Sequence, residues 1–507
     1  MAEKYLYGAA VQGIQGFIFQ TNELREIVGA SAIVAQICED EFNEFRTGTE
    51  ADNVLHAAGN IKYIFSKKDD CEKAVRKFPK KVLLKAPGIT ISQAVVKIGE
   101  GGYKEAVEEL EARLRTQRNR QPHPTTLGLM GIRRSRKTGL PAINGTDDDA
   151  ATTKKTEVTD EAHLSLLYDQ FGKGWRFDSY SCKNIERLTG DNDYVAIVHI
   201  DGNGLGQIVA AIGGDPVKFK DFSQKLDEAT KAAAQKAFLN TKGDADRPWN
   251  ILRPIVLSGD DHTVVCRGNI AVEYVMNFLQ AFEDATKSLG EIVAEAYPGA
   301  NHLTACAGIA FIKSSYPFYY GYDLAEALCE RSKKDAKQDC YKEKNHGIAP
   351  SCLMFHKVQD SYVTSYDDIV RRELTPANGK TWEVGPYYLH AEDVDNERCS
   401  IDVLLGNVDK LDGKGSDAEK EANAIKSSLR KWLTAMHDDP AMAKQLVERM
   451  KTIRKDDSFI IEMTSPTFVQ NRKKKDDKGK DVDDPTERFK AYDVLSLHSI
   501  KALNTKD

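Results

Sequence analysis

Tyr194-Val-Ala-Ile-Val-His-Ile-Asp-Gly-Asn-Gly-Leu-Gly206 reads as a buried β-strand that ends on an acid and breaks into a glycine-rich turn. About sixty residues on, Pro254-Ile-Val-Leu257 is a second apolar run. It ends in Ser258-Gly-Asp-Asp261, and His262-Thr-Val-Val-Cys266 leaves that turn at once as the return strand of a hairpin. Acids at the tips of neighbouring strands can share divalent cations, and magnesium favours a few carboxylates together with phosphate oxygens. The pattern therefore points to chemistry on nucleoside triphosphates. Asp201 closes a buried strand and is placed as one ligand. Asp260 and Asp261 are consecutive at a hairpin tip, so their side chains diverge: one faces Asp201, and its neighbour faces solvent or a second substrate. Gly202, Gly204 and Gly206 let backbone amides approach phosphates, and Asn203, within that turn, is counted with Gly202 and Gly204 as a cofactor-binding residue. Ser258 and Gly259 are small enough for a nucleotide to lie over the second turn.

Other readings of these acids fit less well. An EF-hand needs an oxygen ligand at its fifth position and Glu at its twelfth, where this chain has Leu205 and Ile212. Ser-Gly-Asp-Asp alone is an ordinary turn composition; its pairing with the first turn inside one βαββ unit makes the metal–nucleotide reading the stronger one. His437-Asp438 precedes Pro440 with no other His pattern around it and reads as a helix end.

The same element order occurs twice. Residues 1–120 give a strand at Tyr5–Val11, a helix near 21–45 and a hairpin about Gly59-Asn60. A helix near 71–84, a strand at 89–98 and a helix at 103–115 follow. From Asp191 the order returns: strand 194–200, helix 217–238, hairpin 251–266, helix 270–289, strand 303–312 and helix 324–337, with a short strand at 351–355. The class is α+β, with two ferredoxin-like βαββαβ domains followed by a mostly helical C-terminal domain. The expected divisions are 1–120, a linker or insertion at 121–185, 186–384 and 385–507. Only the second copy carries acids at its turns; the first has Gly59-Asn60 where the second has Ser-Gly-Asp-Asp. Helices at 418–437 and 441–453 are separated by Pro440, a polar loop follows at 471–485, and the last helix falls near 486–503.

Composition narrows the class further. The 507 residues are 41% hydrophobic and 29% charged, and the net charge of −6 argues against a surface that coats nucleic acid. A basic stretch from Arg113 through Arg120 to Lys137 is the local exception and reads as a solvated connection or a phosphate contact. No apolar run reaches the length of a membrane span. The nine cysteines form no CxxC pair, the start lacks a signal-peptide pattern, and a cytoplasmic location is expected.

At these residues the chain resembles the CRISPR polymerase family, the large palm-domain subunit of type III CRISPR effector complexes, and more distantly GGDEF-type cyclases. Ser258-Gly-Asp-Asp261 is similar to the family's GGDD motif, with Ser for the first Gly. Ile200-Asp-Gly-Asn-Gly-Leu-Gly206 resembles its strand-end motif, where an acid commonly stands at the place of Asn203. Ala305–Lys313, Tyr316-Pro317 and Leu324-Ala-Glu326 through Lys333-Lys334 resemble the strand and helix that follow. Gly13-Ile-Gln-Gly-Phe-Ile-Phe19, Arg25 and Gly29-Ala-Ser31 resemble the opening of the family's first, pseudo-palm domain. Neither the HD nuclease domain nor the cysteine-based zinc module of many members has a counterpart in the sequence.

The resemblance implies a metal-dependent nucleotidyltransferase that converts ATP into a cyclic oligoadenylate-like messenger in antiviral defence, with Mg²⁺ or Mn²⁺ as cofactor. Asp201, Asp260 and Asp261 would be the metal and catalytic acids, and Lys333 would reach a substrate phosphate. The implied partners are nucleoside triphosphates and, within a complex, RNA or other effector subunits. A homo-oligomer stays open, and no membrane partner is expected. A non-catalytic nucleotide- or RNA-binding subunit, or a cyclase making a cyclic dinucleotide, are the alternatives.

Overall fold

The computed structural model describes residues 3–49, 53–57, 59–120, 130–143, 145–160, 194–241, 252–338, 345–360, 365–376, 379–390, 400–411, 416–453, 458–466, 473–475, 481–483 and 486–503. The first unit runs β1 (Lys4–Gln12), α1 (Ile14–Ile18), α2 (Leu24–Glu39), β2 (Asn53–Ala57), β3 (Asn60–Phe65), α3 (Lys68–Lys85), β4 (Thr90–Ile98) and α4 (Gly102–Arg118). Its sheet has the order β2-β3-β1-β4, antiparallel at every pairing. That is the ferredoxin-like arrangement expected from the sequence. The hairpin turns one residue earlier than its Gly-Asn signal suggested: Ala57 already pairs with Asn60, and Gly59 takes the positive φ of 77°.

The stretch expected as linker holds a helix, α5 (Ala150–Asp160), which packs hard against α2. A Cβ on Gly29 would lie 1.9 Å from the Lys155 carbonyl oxygen. Asp149 starts this helix by accepting hydrogen bonds from the amides of Ala151 (2.9 Å) and Thr152 (3.1 Å). The composition of α5, AATTKKTEVTD, has no apolar stripe, so periodicity could not reveal it. Pro122, Pro124 and residues 161–185 of the same stretch lie outside the described residues.

The second unit runs β5 (Tyr194–Gly202), α6 (Leu205–Ile212), α7 (Pro216–Asn240), β6 (Leu252–Ser258), β7 (Asp261–Arg267), α8 (Ala271–Thr286), α9 (Gly290–Ala296), β8 (Ala305–Lys313), α10 (Phe318–Ala336) and β9 (Cys352–Lys357). After α11 (Tyr366–Arg372) and β10 (Lys380–Thr381), β11 (Tyr387–Tyr388) completes a six-stranded sheet, β11-β9-β8-β5-β7-β6. Four of its strands, in the order β6-β7-β5-β8, repeat the order of the first unit, and β9 extends the sheet in parallel with β8. Residues 194–200 are all buried, which explains why β5 reads as a continuous apolar run rather than an alternating one. Helix α10 begins six residues before the expected Leu324. Its first turn is ordered from outside: Phe318 donates its amide to Asn22 Oδ1 at 3.0 Å, and Tyr322 stacks on Phe19 at 4.0 Å between ring centroids.

The rest is mostly helical: α12 (Ile401–Asp409), α13 (Ser416–Asp438), α14 (Pro440–Ile453), α15 (Ser458–Thr464) and α16 (Ala491–Leu503). His437-Asp438 closes α13, as expected, and Pro440 opens α14. Within the span read as a polar loop, β12 (Lys473–Lys475) pairs with β13 (Asp481–Asp483); Asn471 and Arg472 lie outside the described residues. Strand β14 (Glu487–Arg488) pairs with β10 in parallel, taking the place of the expected first turn of the last helix. Among the described residues, no helix is long and apolar enough to cross a membrane.

Strand β8 and α10 approach so closely that a Cβ on Gly308 would lie 1.9 Å from the Ala325 carbonyl oxygen and 2.5 Å from the Cys329 nitrogen. Both are backbone atoms and cannot step aside. Gly308→Ala should therefore destabilise the protein by about 1–3 kcal/mol through overpacking, read as a lower midpoint in thermal or urea unfolding beside a surface Gly206→Ala control, where a Cβ meets nothing within 4 Å.

Candidate active site

Three elements of the second unit meet at one end of its sheet. Strand β5 brings Asp201 to its next-to-last position, with Cys306 of β8 as register partner. Strand β7 begins at Asp261, which pairs with Ser258 across a two-residue turn formed by Gly259 and Asp260. Gly259 has φ 64°, a conformation that favours glycine. The turn is held from behind by α7: Thr230 Oγ1 donates to the Gly259 carbonyl at 2.5 Å, and the Gly259 amide donates to Asp227 Oδ1 at 3.2 Å. Asp260 then lies over β5, because a Cβ on Gly202 would meet its Cβ at 2.9 Å.

The third element is α10. Lys333 Nζ forms an ion pair with the Asp201 carboxylate and donates to the Gly202 carbonyl at 2.8 Å. Burial works against its ammonium, but Asp201 outweighs that and holds it above the usual lysine range. The acids respond in the other direction. Burial first, and then the charge of Asp201, push Asp260 up to about 7; burial, Asp201 and Glu326 push Asp261 up to about 7. Oδ1 of Asp261 is buried with no hydrogen-bond partner, although 41% of that side chain remains exposed. His199 Nδ1 stands 3.5 Å from that oxygen and 3.2 Å from Thr263 Oγ1. Burial keeps the imidazole below its ordinary range.

Asp201, Asp260, Asp261 and Lys333 are thus brought together, with Ser258, Gly259 and Gly202 between them. Gly204 has φ 79° and starts α6; its carbonyl accepts from Tyr297 Oη at 3.1 Å. Asn203 is not on the exposed rim with these groups. It is buried, and its Nδ2 donates to Thr304 Oγ1 (3.1 Å), Cys306 Sγ (3.3 Å) and the Ala349 carbonyl (3.2 Å). The side chain ties the turn down to the sheet and does not face a ligand, because a buried amide must satisfy its donors where it lies. Sequence reasoning gave no site role to His199, Asp227, Thr230, Glu326 or Gln15. His199 was hidden inside an apolar strand, Asp227 and Thr230 sit on a helix with no motif of its own, and Gln15 and Glu326 lie within stretches that resemble the family without a role attached to either.

Among the described residues, no three His, Cys, Asp or Glu side chains stand ready to hold a metal ion, and Lys333 occupies Asp201. The donor set still suits a hard cation: three carboxylates, one with an orphaned buried oxygen, and two raised by burial first and then by the neighbouring negative charge of Asp201. Of the basic stretch, Arg113, Arg133 and Lys137 are paired internally with Glu109, Asp147 and Glu26.

A palm-type unit equipped with acids, joined to a ferredoxin-like unit that lacks them at its hairpin, defines the class. Residues 194–342 match the family model of the Cas10/Cmr2 second palm domain. The whole chain superposes on solved Csm1–Csm4 structures. With the cassette bound to cA4 the TM-score is 0.61 at 14% identity, covering 100% of this chain and 70% of the other. With the AMPPNP complex it is 0.59 at 14% identity and the same coverage. With the Csm1–Csm4 subcomplex of the type III-A CRISPR-Csm interference complex it is 0.54 at 13% identity, again covering 100% and 70%. No curated protein sequence matches the chain. The resemblance to the CRISPR polymerase family is therefore borne out.

The raised acids make stability depend on pH. A carboxyl whose value climbs from 3.8 to about 7 on folding leaves stability intact below about pH 4 and erodes it as pH rises toward about 7, because over that range the unfolded chain has lost a proton that the folded acid keeps. Without divalent ions, the wild-type melting temperature should fall between about pH 4 and about pH 7 and level off above that. Asp260→Asn/Asp261→Asn should flatten that fall, and Mg²⁺ at the higher pH should restore the wild type but not the variant. Differential scanning fluorimetry over a pH series reads this; parallel curves for the two proteins would refute it.

Proposed function

We propose that the chain is a metal-dependent nucleotidyltransferase that joins ATP through 3′–5′ bonds into a cyclic oligoadenylate-like product, as a subunit of a type III CRISPR effector. The observation that carries this reading is the convergence of Asp201, Asp260, Asp261 and Lys333 at the strand ends of a palm-type unit. The solved structures of like fold that hold cA4, AMPPNP or pppApA support the choice of adenine nucleotides.

Asp201 and Asp260 would hold the divalent cations, and Asp261 would assist through its free oxygen. The cations, when bound, supply charge neutralisation at the triphosphate and a lowered barrier to deprotonating the attacking hydroxyl. Asp201 would release Lys333 as cations take its charge. Lys333, on a helix fixed by packing at both ends, would then turn to the triphosphate and stabilise charge developing toward the pyrophosphate leaving group. Gly259 leaves space over its turn for the nucleotide, since a Cβ there would meet nothing within 4 Å, while Gly202 lets Asp260 close over β5. Thr230 and Asp227 keep the Gly259 turn fixed while the charge on the acids changes.

The test is purified protein with labelled ATP, or each other NTP, and Mg²⁺ or Mn²⁺, with products resolved by chromatography and mass spectrometry. Asp260→Ala/Asp261→Ala should abolish product while leaving the fold intact. Lys333→Ala should lower turnover by roughly a hundredfold or more, as losing a charge-stabilising donor does. Product that persists unchanged in the double variant would refute the assignment. Product masses distinguish a cyclic oligonucleotide from a cyclic dinucleotide.

A further inference from the structure

The first unit, whose hairpin carries no acids, reaches toward the palm site through Gln15. Gln15, on α1, donates from Nε2 to Glu326 Oε1 at 2.8 Å and to Tyr322 Oη at 3.0 Å, across more than three hundred residues of sequence. Both acceptors lie on α10, one turn apart, and Glu326 is seven residues from Lys333, on the same helix face. The Tyr322 ring meets the His199 ring edge-on at 5.6 Å, and His199 Nδ1 is 3.5 Å from Asp261 Oδ1. Gln15 itself is held firmly. Gly13 opens α1 with φ 69°, Phe19 stacks on Tyr322, and buried Lys155 donates to the Phe17 carbonyl at 2.6 Å and to Gln20 Oε1 at 3.0 Å.

We propose that Gln15 is a positioning residue for the palm site: it fixes Glu326 and Tyr322, and through Tyr322 and His199 it fixes the rotamer of Asp261. The inference rests on Asp261 being a metal-site acid. An amide suits the task, because it donates to two acceptors without adding charge beside the carboxylates. A cation there would pair with Glu326 and compete for the site's field, and an apolar side chain would leave Glu326 to swing toward Asp261. The first unit has Gly59-Asn60 at its hairpin, yet it completes the second unit's site by geometry.

The experiment compares wild type, Gln15→Ala, Gln15→Glu, Glu326→Gln and the exchange Gln15→Glu/Glu326→Gln. The readouts are Mg²⁺ titrations of product formation and of ATP-analogue binding, with thermal unfolding in parallel. Gln15→Ala should raise the half-saturating Mg²⁺ concentration roughly three- to tenfold, while the rate at saturating Mg²⁺ stays within about twofold. Gln15→Glu should be worse, since it sets two carboxylates against each other. The exchange restores one donor and one carboxylate in reversed positions and should return Mg²⁺ dependence to within about twofold of wild type. A merely structural role would not produce that reciprocal rescue. Unchanged Mg²⁺ dependence in Gln15→Ala, or an exchange variant no better than Gln15→Glu, overturns the inference alone. Should Gln15→Ala fail to fold, the exchange variant decides by the same criterion. Metal-dependent binding that survives Asp260→Ala/Asp261→Ala would instead overturn the metal-site reading beneath it.

Discussion

Negative charge gathered where two adjacent strands end is the constraint around which the second unit is built. Asp201, Asp260 and Asp261 repel one another in a partly desolvated place, and a fold tolerates this only where surrounding structure over-determines the geometry. Here that support is visible. Asn203 fastens one turn to the sheet, α7 fastens the other, and Lys333 supplies an ion pair to Asp201. The cost of holding such charges close is the source of their reactivity toward cations, because the same field that lifts the acids' proton affinity attracts divalent ions.

The duplicated order has an asymmetric use. In the first unit the hairpin carries no acids, and Gly59 takes a positive φ at its turn. In the second the equivalent hairpin is longer-sided, buried on β7, and anchored to a helix. The two copies touch where α1 meets the start of α10, through aromatic stacking, an amide cap and the hydrogen bonds of Gln15. They touch again where Ser31 donates to the Ile255 carbonyl and Lys62 lies over the Phe219 ring.

Much of this was legible in the sequence, for identifiable reasons. Strands β5, β6, β7 and β8 combine apolar runs with sharp turn residues, and those signals are local. Asp201, Asp260 and Asp261 could be singled out because they sit at the ends of such runs. What stayed hidden depends on distant partners. Helix α5 has no periodicity and is stabilised by packing on Gly29. The first turn of α10 takes its cap from Asn22, nearly three hundred residues away. Asn203 looked like a ligand because its neighbours are glycines; only the positions of Thr304, Cys306 and Ala349 show that it points inward. Gln15 carries no chemistry readable from its own surroundings.

The docking of α16 has a consequence for the order in which the chain assembles. A Cβ on Gly268 would strike Ile500 at 2.8 Å, Lys357 reaches Ser499 at 2.7 Å, and β10 finds its partner only in Glu487–Arg488. The sheet that bears the acids has all six strands once Tyr388 is made, but the helix that packs beside Gly268 and Lys357 is synthesised some three hundred positions after β5. During translation the second unit therefore waits for its covering helix through much of the remaining chain. The long interval leaves the apolar surface beneath α16 exposed after the strands themselves have paired.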